Sequence, residues 1–411
     1  MIEQFTVRTF KTLDDVTVEL GMVNVFIGAN GSGKSNLLEA LGILSAAADG
    51  KVDDQSLLAR GVRPGLPALY KTAIPARPQK EIPRHLFFGA RNGRVSYEVT
   101  LHNPLQEPAP AWRFKTEHWK DENNRSLVTR VPADRSDRNP ERGMAALEAV
   151  RLTKGPALEL LTLLQNYVIF SPATAVLRGT ASETQPRQPV GLSGGDLPRA
   201  IDDLYRQAHT DKRSRQITRH VLQLIDWAKS IEWARADQLP LSPSAATSKD
   251  VIQFRDRFMH KDGNVLSGYD ASEGALYALF LAVIAGHRNS PALCAVDNAD
   301  HGLNPRLARS LFERLCQWYL NADKPRQILL TTHNPLVLDG LPLQDDRVRL
   351  FTVSRTDSGR TSVRRVVVDD RMSEKAEQGW SLSRLWVMGH LGGVPGDDWE
   401  CRHSPEGRLA T

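Results

Sequence analysis

The residues with the plainest chemistry are GANGSGKS, Gly28–Ser35, which fit the pattern G-x-x-x-x-G-K-[ST]. The pattern is built for phosphate. Its glycines let successive backbone N–H groups close around phosphate oxygens that a side chain would keep out. Gly28, Ala29, Asn30, Gly31, Ser32 and Gly33 supply the loop, Lys34 adds a positive charge for the outer phosphates, and Ser35 offers a hydroxyl to Mg²⁺. A second candidate is Asp297, which follows the apolar run Ala292–Val296 in ALCAVDNADHGLNP. An acid at the carboxyl end of a buried strand is where such sheets place their ligand-binding groups. Its neighbour Asn298 is a neutral amide, able to hold a water molecule but unable to take its proton.

These groups need a strand, a turn and a helix in that order, and the chain supplies them. Val23–Ile27 is a short apolar run, and Ser35–Ala48 carries Leu37, Leu38, Leu41 and Leu44 at helical spacing. Before them Met1–Glu19 alternates apolar and polar residues, as a strand pair does. The middle of the chain changes character. Prolines recur from Pro64 to Pro83, RVSYEVTLH (94–102) reads as a strand, and the mixed charges of 120–142 predict an exposed loop over about 103–145. Helical patterns return at 156–166 and from about 197 to 230. The last third alternates a strand (Leu293–Val296), a helix (Arg306–Tyr319) and a strand (Gln327–Thr331). A hairpin then turns near Asp357–Gly359, and a closing helix spans Leu382–Met388. Strands alternating with helices argue for an α/β layer architecture. We expect an N-terminal half of one head at 1–50, an inserted lobe at 51–260 and a C-terminal half at 261–411.

Composition bounds the function without naming it. The chain has 411 residues, 41% hydrophobic and 25% charged, as soluble globular proteins do. It has no membrane-length apolar run and no signal-peptide pattern. Cys294, Cys316 and Cys401 have neither metal spacing nor a disulfide framework; the first two read as apolar filler, the third as a surface thiol, and a reducing cytoplasm suits all three. A net charge of +5 admits an anionic partner. Lys212, Arg213, Arg215 and Arg219 cluster in DKRSRQITRH, either as a solvated helix face or as a DNA contact.

The wording GxNGSGKSN, with Asn36, resembles the ATP-binding heads of ABC-type ATPases, especially the RecF/SMC/OLD branch and the related AAA_21-like ATPases of bacterial operons. The opening FTVRTFKTLDDVTVELG is similar too. The resemblance covers roughly residues 1–45 and 265–340. It implies an α/β P-loop NTPase head in which helices flank a mixed central sheet, with an N-terminal antiparallel strand layer and an inserted, mainly helical lobe. It further implies ATP and Mg²⁺ as cofactors, with Ser35 and Asp297 on the metal, and a homodimer closed head to head around two ATP molecules. In such heads a serine-glycine signature at a helix N-terminus reaches the γ-phosphate held by the other subunit. Two stretches compete for that role, GLSGGD (Gly191–Asp196) and ASEGALYALFLAVIAG (271–286). The second lies one helix before Asp297, and Ser272 stands where a helix cap would stand. We therefore assign Ser272, Glu273 and Gly274 to the signature, and let Gly191–Asp196 open the helix Leu197–Tyr205. HGLNP (301–305) resembles the loop that packs across such dimers. ILLTTHNP (328–335) resembles the switch strand, with His333 sensing the γ-phosphate.

The departure is Asn298, since relatives carry a glutamate there to polarise the attacking water. Two readings follow. Either the protein is a nucleotide-gated clamp with slow turnover, or Asp300 or His301 supplies the missing base. The stretch after the switch reads as hairpin and helix rather than as a Toprim nuclease domain. LSRLWVMGHLGGVP (382–395) resembles the tail of operon-encoded relatives that act with a separately encoded nuclease or toxin in phage defence or DNA maintenance. Alternatives are a non-catalytic ATP-binding regulatory scaffold and a transporter cassette; the long middle insertion argues against the cassette.

Overall fold

The computed structural model describes residues 1–72, 85–131, 139–242, 245, 248–368 and 378–392. The chain opens on the antiparallel pair β1 (Gln4–Phe10) and β2 (Leu13–Glu19), and then runs into β3 (Val23–Ile27), all five of whose residues are buried. An apolar run buried on both faces is what a central parallel strand requires. The alternation of side chains sends Val23, Val25 and Ile27 into one core and Phe26 into another.

The other strands are β4 (His85–Asn92), β5 (Val95–His102), β6 (Arg113–Lys120), β7 (Ser126–Arg130), β8 (Val168–Phe170), β9 (Ala228–Arg235), β10 (Asp250–Asp256), β11 (Val265–Ser267), β12 (Leu293–Val296), β13 (Gln327–Thr332), β14 (Val348–Arg355) and β15 (Thr361–Val366). The main sheet has the order β15-β14-β3-β13-β12-β8, parallel from β14 to β8 with β15 antiparallel at its edge. A six-stranded antiparallel sheet, β2-β1-β4-β5-β6-β7, shares one core with the helix Lys34–Ala48 and with Phe26, Ala295 and Leu329 of the main sheet. The helices Leu197–Gln207, Lys212–Leu224, Glu273–Gly286 and Pro305–Leu320 pack on the other face. Every residue of Glu273–Gly286 after Glu273 is buried, so this helix is apolar all round. The buried Gln327 amide accepts from Ile2 N–H and donates to Ile2 and Gly21 carbonyls, stitching the N-terminus to the centre of the sheet.

The α/β head with a mixed sheet, flanking helices and an antiparallel N-terminal layer stands as expected. The strand pair, the 94–102 strand, the 156–166 helix, the strands around Asp297 and His333 and the final hairpin all form. Three details differ. The middle of the chain is less helical than expected, because β4 to β7 extend the N-terminal sheet and β8 pairs with β12. The expected exposed loop contains β6 and β7, pinned from inside. Glu117, 0% exposed, accepts from Tyr97 Oη and from the N–H groups of Met144 and Ala145, and Arg130 lies 3.8 Å away. Its charges looked solvated because sequence does not reveal which of them meet internally. Helix also stops at Leu224, and Ala228–Arg235 is a strand. Cys401 and the end of the 382–395 phrase lie outside the described residues.

Candidate functional site

The loop after β3 has little room. A Cβ on Gly28 would stand 2.0 Å from the Val353 carbonyl oxygen, and one on Gly33, whose φ is +111°, would stand 2.2 Å from Thr361 Oγ1. Gly31 has φ +74° and open space around it, and Asn30 and Gly31 are exposed. A cradle walled by backbone on one side and open on the other is one an anion can enter. The helix beginning at Lys34 directs its N-terminal dipole there. The Lys34 ammonium donates to the carbonyls of Gly28 (2.7 Å) and Ala29 (2.9 Å) and stands 3.4 Å from His333 Nδ1. Burial pulls its pKa down to about 8, opposed by the charges of Asp297 and Asp300.

The hairpin β14–β15 clamps this loop. Thr361 Oγ1 donates to the Ser32 carbonyl at 2.8 Å and lies 2.6 Å from Thr12 Oγ1, which also accepts from Asn36 Nδ2 at 2.9 Å. Asn36 therefore faces the β1–β2 turn in this structure. Glu39, buried in the same helix, is paired with both Lys11 and Arg63.

Opposite the loop, Ser35 Oγ stands 3.1 and 2.9 Å from the two carboxylate oxygens of Asp297. Thr331, at the end of β13, donates its hydroxyl to the same carboxylate and accepts the Asn298 N–H at 2.8 Å. Asn298 adopts φ +53°, and Ala299 N–H then bonds the Thr331 carbonyl at 2.9 Å, so the chain turns sharply while remaining attached to β13. That turn returns Asp300 to the site. Its Oδ2 accepts the His333 N–H at 3.3 Å, and its Oδ1 is buried with no hydrogen-bond partner. His333 lies exposed at the rim; partial desolvation and the charge of Lys34 lower its pKa, opposed by Asp300 and Asp297. A hydroxyl and one carboxylate form the all-oxygen donor set that suits Mg²⁺ shared with phosphate and water. No cluster of three or more His, Cys, Asp or Glu able to cage a metal occurs among the described residues.

A family model described as "AAA domain, putative AbiEii toxin, Type IV TA system" matches residues 23–339, from the first residue of β3 to beyond His333. The chain belongs to this AAA_21 family. No curated protein matches it. Among solved structures, the chain is similar to an Smc head bound to the C-winged helix domain of ScpA, at 14% identity over 91% of this chain and 99% of that one, with a TM-score of 0.53. An SMC head domain from Thermotoga maritima (14% identity, 89% and 99% covered, TM-score 0.43) also matches. So does an Smc head with an extended coiled coil bound to the C-terminal domain of ScpA, derived from Pyrococcus furiosus (12%, 92% and 99%, 0.47). The first of these carries the fold comparison. This AAA_21 protein thus has the ABC-type, SMC-like fold, and nucleotide binding goes with its family.

In the AAA_21 chain the remaining candidates separate into two groups. Lys34, Ser35, Asp297, Asp300 and His333 meet at the phosphate loop. Ser272, Glu273 and Gly274 do not join them. Ser272 occupies the N-cap position of the helix Glu273–Gly286 in extended conformation, its exposed side chain making no capping hydrogen bond. Glu273 accepts from the Thr174 hydroxyl and pairs with His301 Nε2 at 3.4 Å, and a Cβ on Gly274 would lie 3.0 Å from the Gly302 carbonyl oxygen. These residues therefore sit on the 301–303 loop of their own chain. Gly191–Asp196 opens the helix Leu197–Gln207 as expected, its Ser193 and Gly195 N–H groups donating to Glu183 at 2.9 and 3.1 Å. Sequence reasoning passed over Thr331, although it stands in the quoted TTH phrase, and passed over Thr12, Thr361 and Glu39, for which no local signal exists. The basic cluster is largely committed elsewhere. Arg213 donates to the Ala285 and Trp318 carbonyls, and Arg215 to those of Ala208 and His209.

Proposed function

We propose that this protein is a nucleotide-gated switch of the RecF/SMC/OLD branch, two copies closing head to head around two ATP molecules and opening slowly. One observation carries the reading. The phosphate loop, Ser35, Asp297 and His333 converge within one chain, while the exposed Ser272 at its helix N-terminus reaches no phosphate loop of its own. A site with one half facing inward and the other outward is completed by a second copy.

The roles follow from the chemistry. The loop N–H groups and Lys34 would hold the phosphates; Ser35 and Asp297 would hold Mg²⁺, whose positive charge would offset the negative charge developing on the γ-phosphate. Ser272 with Gly274 reaches the γ-phosphate of the opposite copy, and His333 reports whether that phosphate is present. Asn298 cannot deprotonate water, which makes opening slow. Losing a general base typically lowers rate by about 10²–10⁴. No described helix is long and apolar enough to cross a membrane, which accords with a cytoplasmic switch.

The family description, with its toxin–antitoxin wording, and the 382–395 phrase support an output through a separately encoded nuclease or toxin in phage defence or DNA maintenance. The ScpA domains seen on Smc heads belong to those proteins and show that such a fold can carry a protein partner. Asn298 also favours a second reading, a non-catalytic scaffold that binds ATP to hold an effector inactive. Light scattering with and without MgATP, beside phosphate release, separates the two. Dimerisation on ATP with slow release, accelerated by Asn298→Glu, supports the switch. A monomer at saturating MgATP sinks it.

A further inference from the structure

We propose that Asp300 is the carboxylate that accepts the proton of the attacking water, a substitute standing farther along the chain than a glutamate at 298 would and so leaving the opening slow; this rests on the ATP-gated reading above. The residue is three positions past the metal-site acid, and an extended chain would carry it away from the phosphate loop. The backbone does otherwise. Asn298 takes the left-handed conformation, its N–H is held by Thr331 Oγ1 and the next N–H by the Thr331 carbonyl, so the chain reverses at the end of β13. Asp300 ends beside His333, with Oδ2 on the His333 backbone N–H and Oδ1 buried and unpartnered.

A buried carboxylate oxygen left without a donor is costly, so it is retained where something else makes the bond. Here the surroundings say what that is. Lys34 stands 3.4 Å from His333 Nδ1, and both side chains feel the Asp300 charge. The free oxygen therefore lies among the groups that address the outermost phosphate, where a water donor would satisfy it. The other candidates are occupied. Asp297 has both oxygens engaged by Ser35 and one also by Thr331. His301 is paired with Glu273, and its ring lies 5.4 Å from that of Tyr277.

In the step, the water oxygen forms a bond to the γ-phosphorus and the bond from that phosphorus to the β–γ bridging oxygen breaks. ADP leaves with the electron pair. The water proton passes to Asp300 and from there to the phosphate product.

Asp300→Asn keeps the shape and removes the basicity. In the full chain we expect single-turnover phosphate release to fall by about 10²-fold or more. MgATP affinity should hold or tighten, since one negative charge near the phosphates is gone, and the ATP-dependent dimer should live longer by light scattering. Asn298→Glu added to Asp300→Asn should restore release, which a merely structural role for Asp300 does not predict. Asp300→Ser, smaller and neutral, should behave as Asp300→Asn and guards against a folding defect in either. Release unchanged in Asp300→Asn overturns the inference. So does a wild type that binds ATP and dimerises yet releases no phosphate. The first outcome leaves the switch reading standing, the second replaces it with the non-catalytic scaffold, and a wild type that neither binds MgATP nor dimerises on it sinks both.

Discussion

The Thr331 hydroxyl binds Asp297 and, through its lone pair, the backbone of Asn298. One side chain on β13 thus fixes both the rotamer of Asp297 and the turn that follows it. Thr331 is fully buried, so Thr331→Val keeps the volume, leaves the Asn298 N–H without its acceptor and frees the Asp297 carboxylate. A lost buried hydrogen bond of this kind costs about 1–3 kcal/mol. We expect a melting temperature lower by several degrees and a larger loss of affinity for MgATP than for ATP in EDTA, both restored by Thr331→Ser. Equal losses with and without magnesium would show that Thr331 does not act through Asp297.

Lys34 gives the nucleotide site a pH dependence. Burial lowers its pKa to about 8 in the free protein, and the phosphates of a bound nucleotide raise it again, so binding takes up a proton. The charged form is fully present well below pH 8, half present near it, and lost as pH rises through that value. At pH 9 about one free molecule in ten carries the proton, so ATP affinity should be roughly tenfold below its neutral value. Calorimetry in two buffers of different ionisation heat should register proton uptake at pH 8; a pH-independent constant from 7 to 9.5 would refute the assignment.

The clamp on the phosphate loop is made by an element far away in sequence. Thr361 bonds the Ser32 carbonyl and Thr12 across three segments, with its backbone N–H on the Thr12 carbonyl at 2.8 Å. Thr361→Val removes the side-chain links and leaves the strand pairing. One hydrogen bond is worth about 1 kcal/mol, or roughly fivefold in affinity. We expect ATP binding weakened by about that factor or more, since two side-chain bonds go, together with a melting temperature lower by a few degrees; unchanged ATP affinity would show that the clamp does not shape the loop.

These sites mark where sequence stopped being informative. The phosphate loop was legible because its chemistry is local: glycine conformation, a lysine and a hydroxyl within one turn. Asp297 and His333 were legible because each ends an apolar run that must be a central strand. Asp300 stood in the sequence only as one of two candidate bases, and its place beside His333 depends on Asn298 turning left-handed. Nothing in one sequence announces a left-handed asparagine. Thr12, Thr361 and Thr331 act across sheet register, and Glu117 and Arg130 hide inside a stretch whose charge count suggested solvent.

The basic helix Lys212–Leu224 shows the same effect. Its Arg213 turns inward to donate to Ala285 and Trp318, near the C-terminal ends of the two helices Glu273–Gly286 and Pro305–Leu320, and Arg326 donates to Ala285 and His287 beside it. Cations at helix C-termini satisfy orphan carbonyls and meet the negative end of the dipole. Arg213→Met should therefore destabilise the fold by about 1–2 kcal/mol, read as a lower denaturant midpoint. DNA contact, if the helix makes it, falls to the exposed Lys212 and Arg219. Reversing those two charges should leave the midpoint in place while removing any salt-dependent binding of a fluorescent duplex. Duplex binding that survives their reversal and is lost only in Arg213→Met would mean that the inward arginine, not the exposed pair, serves the nucleic acid.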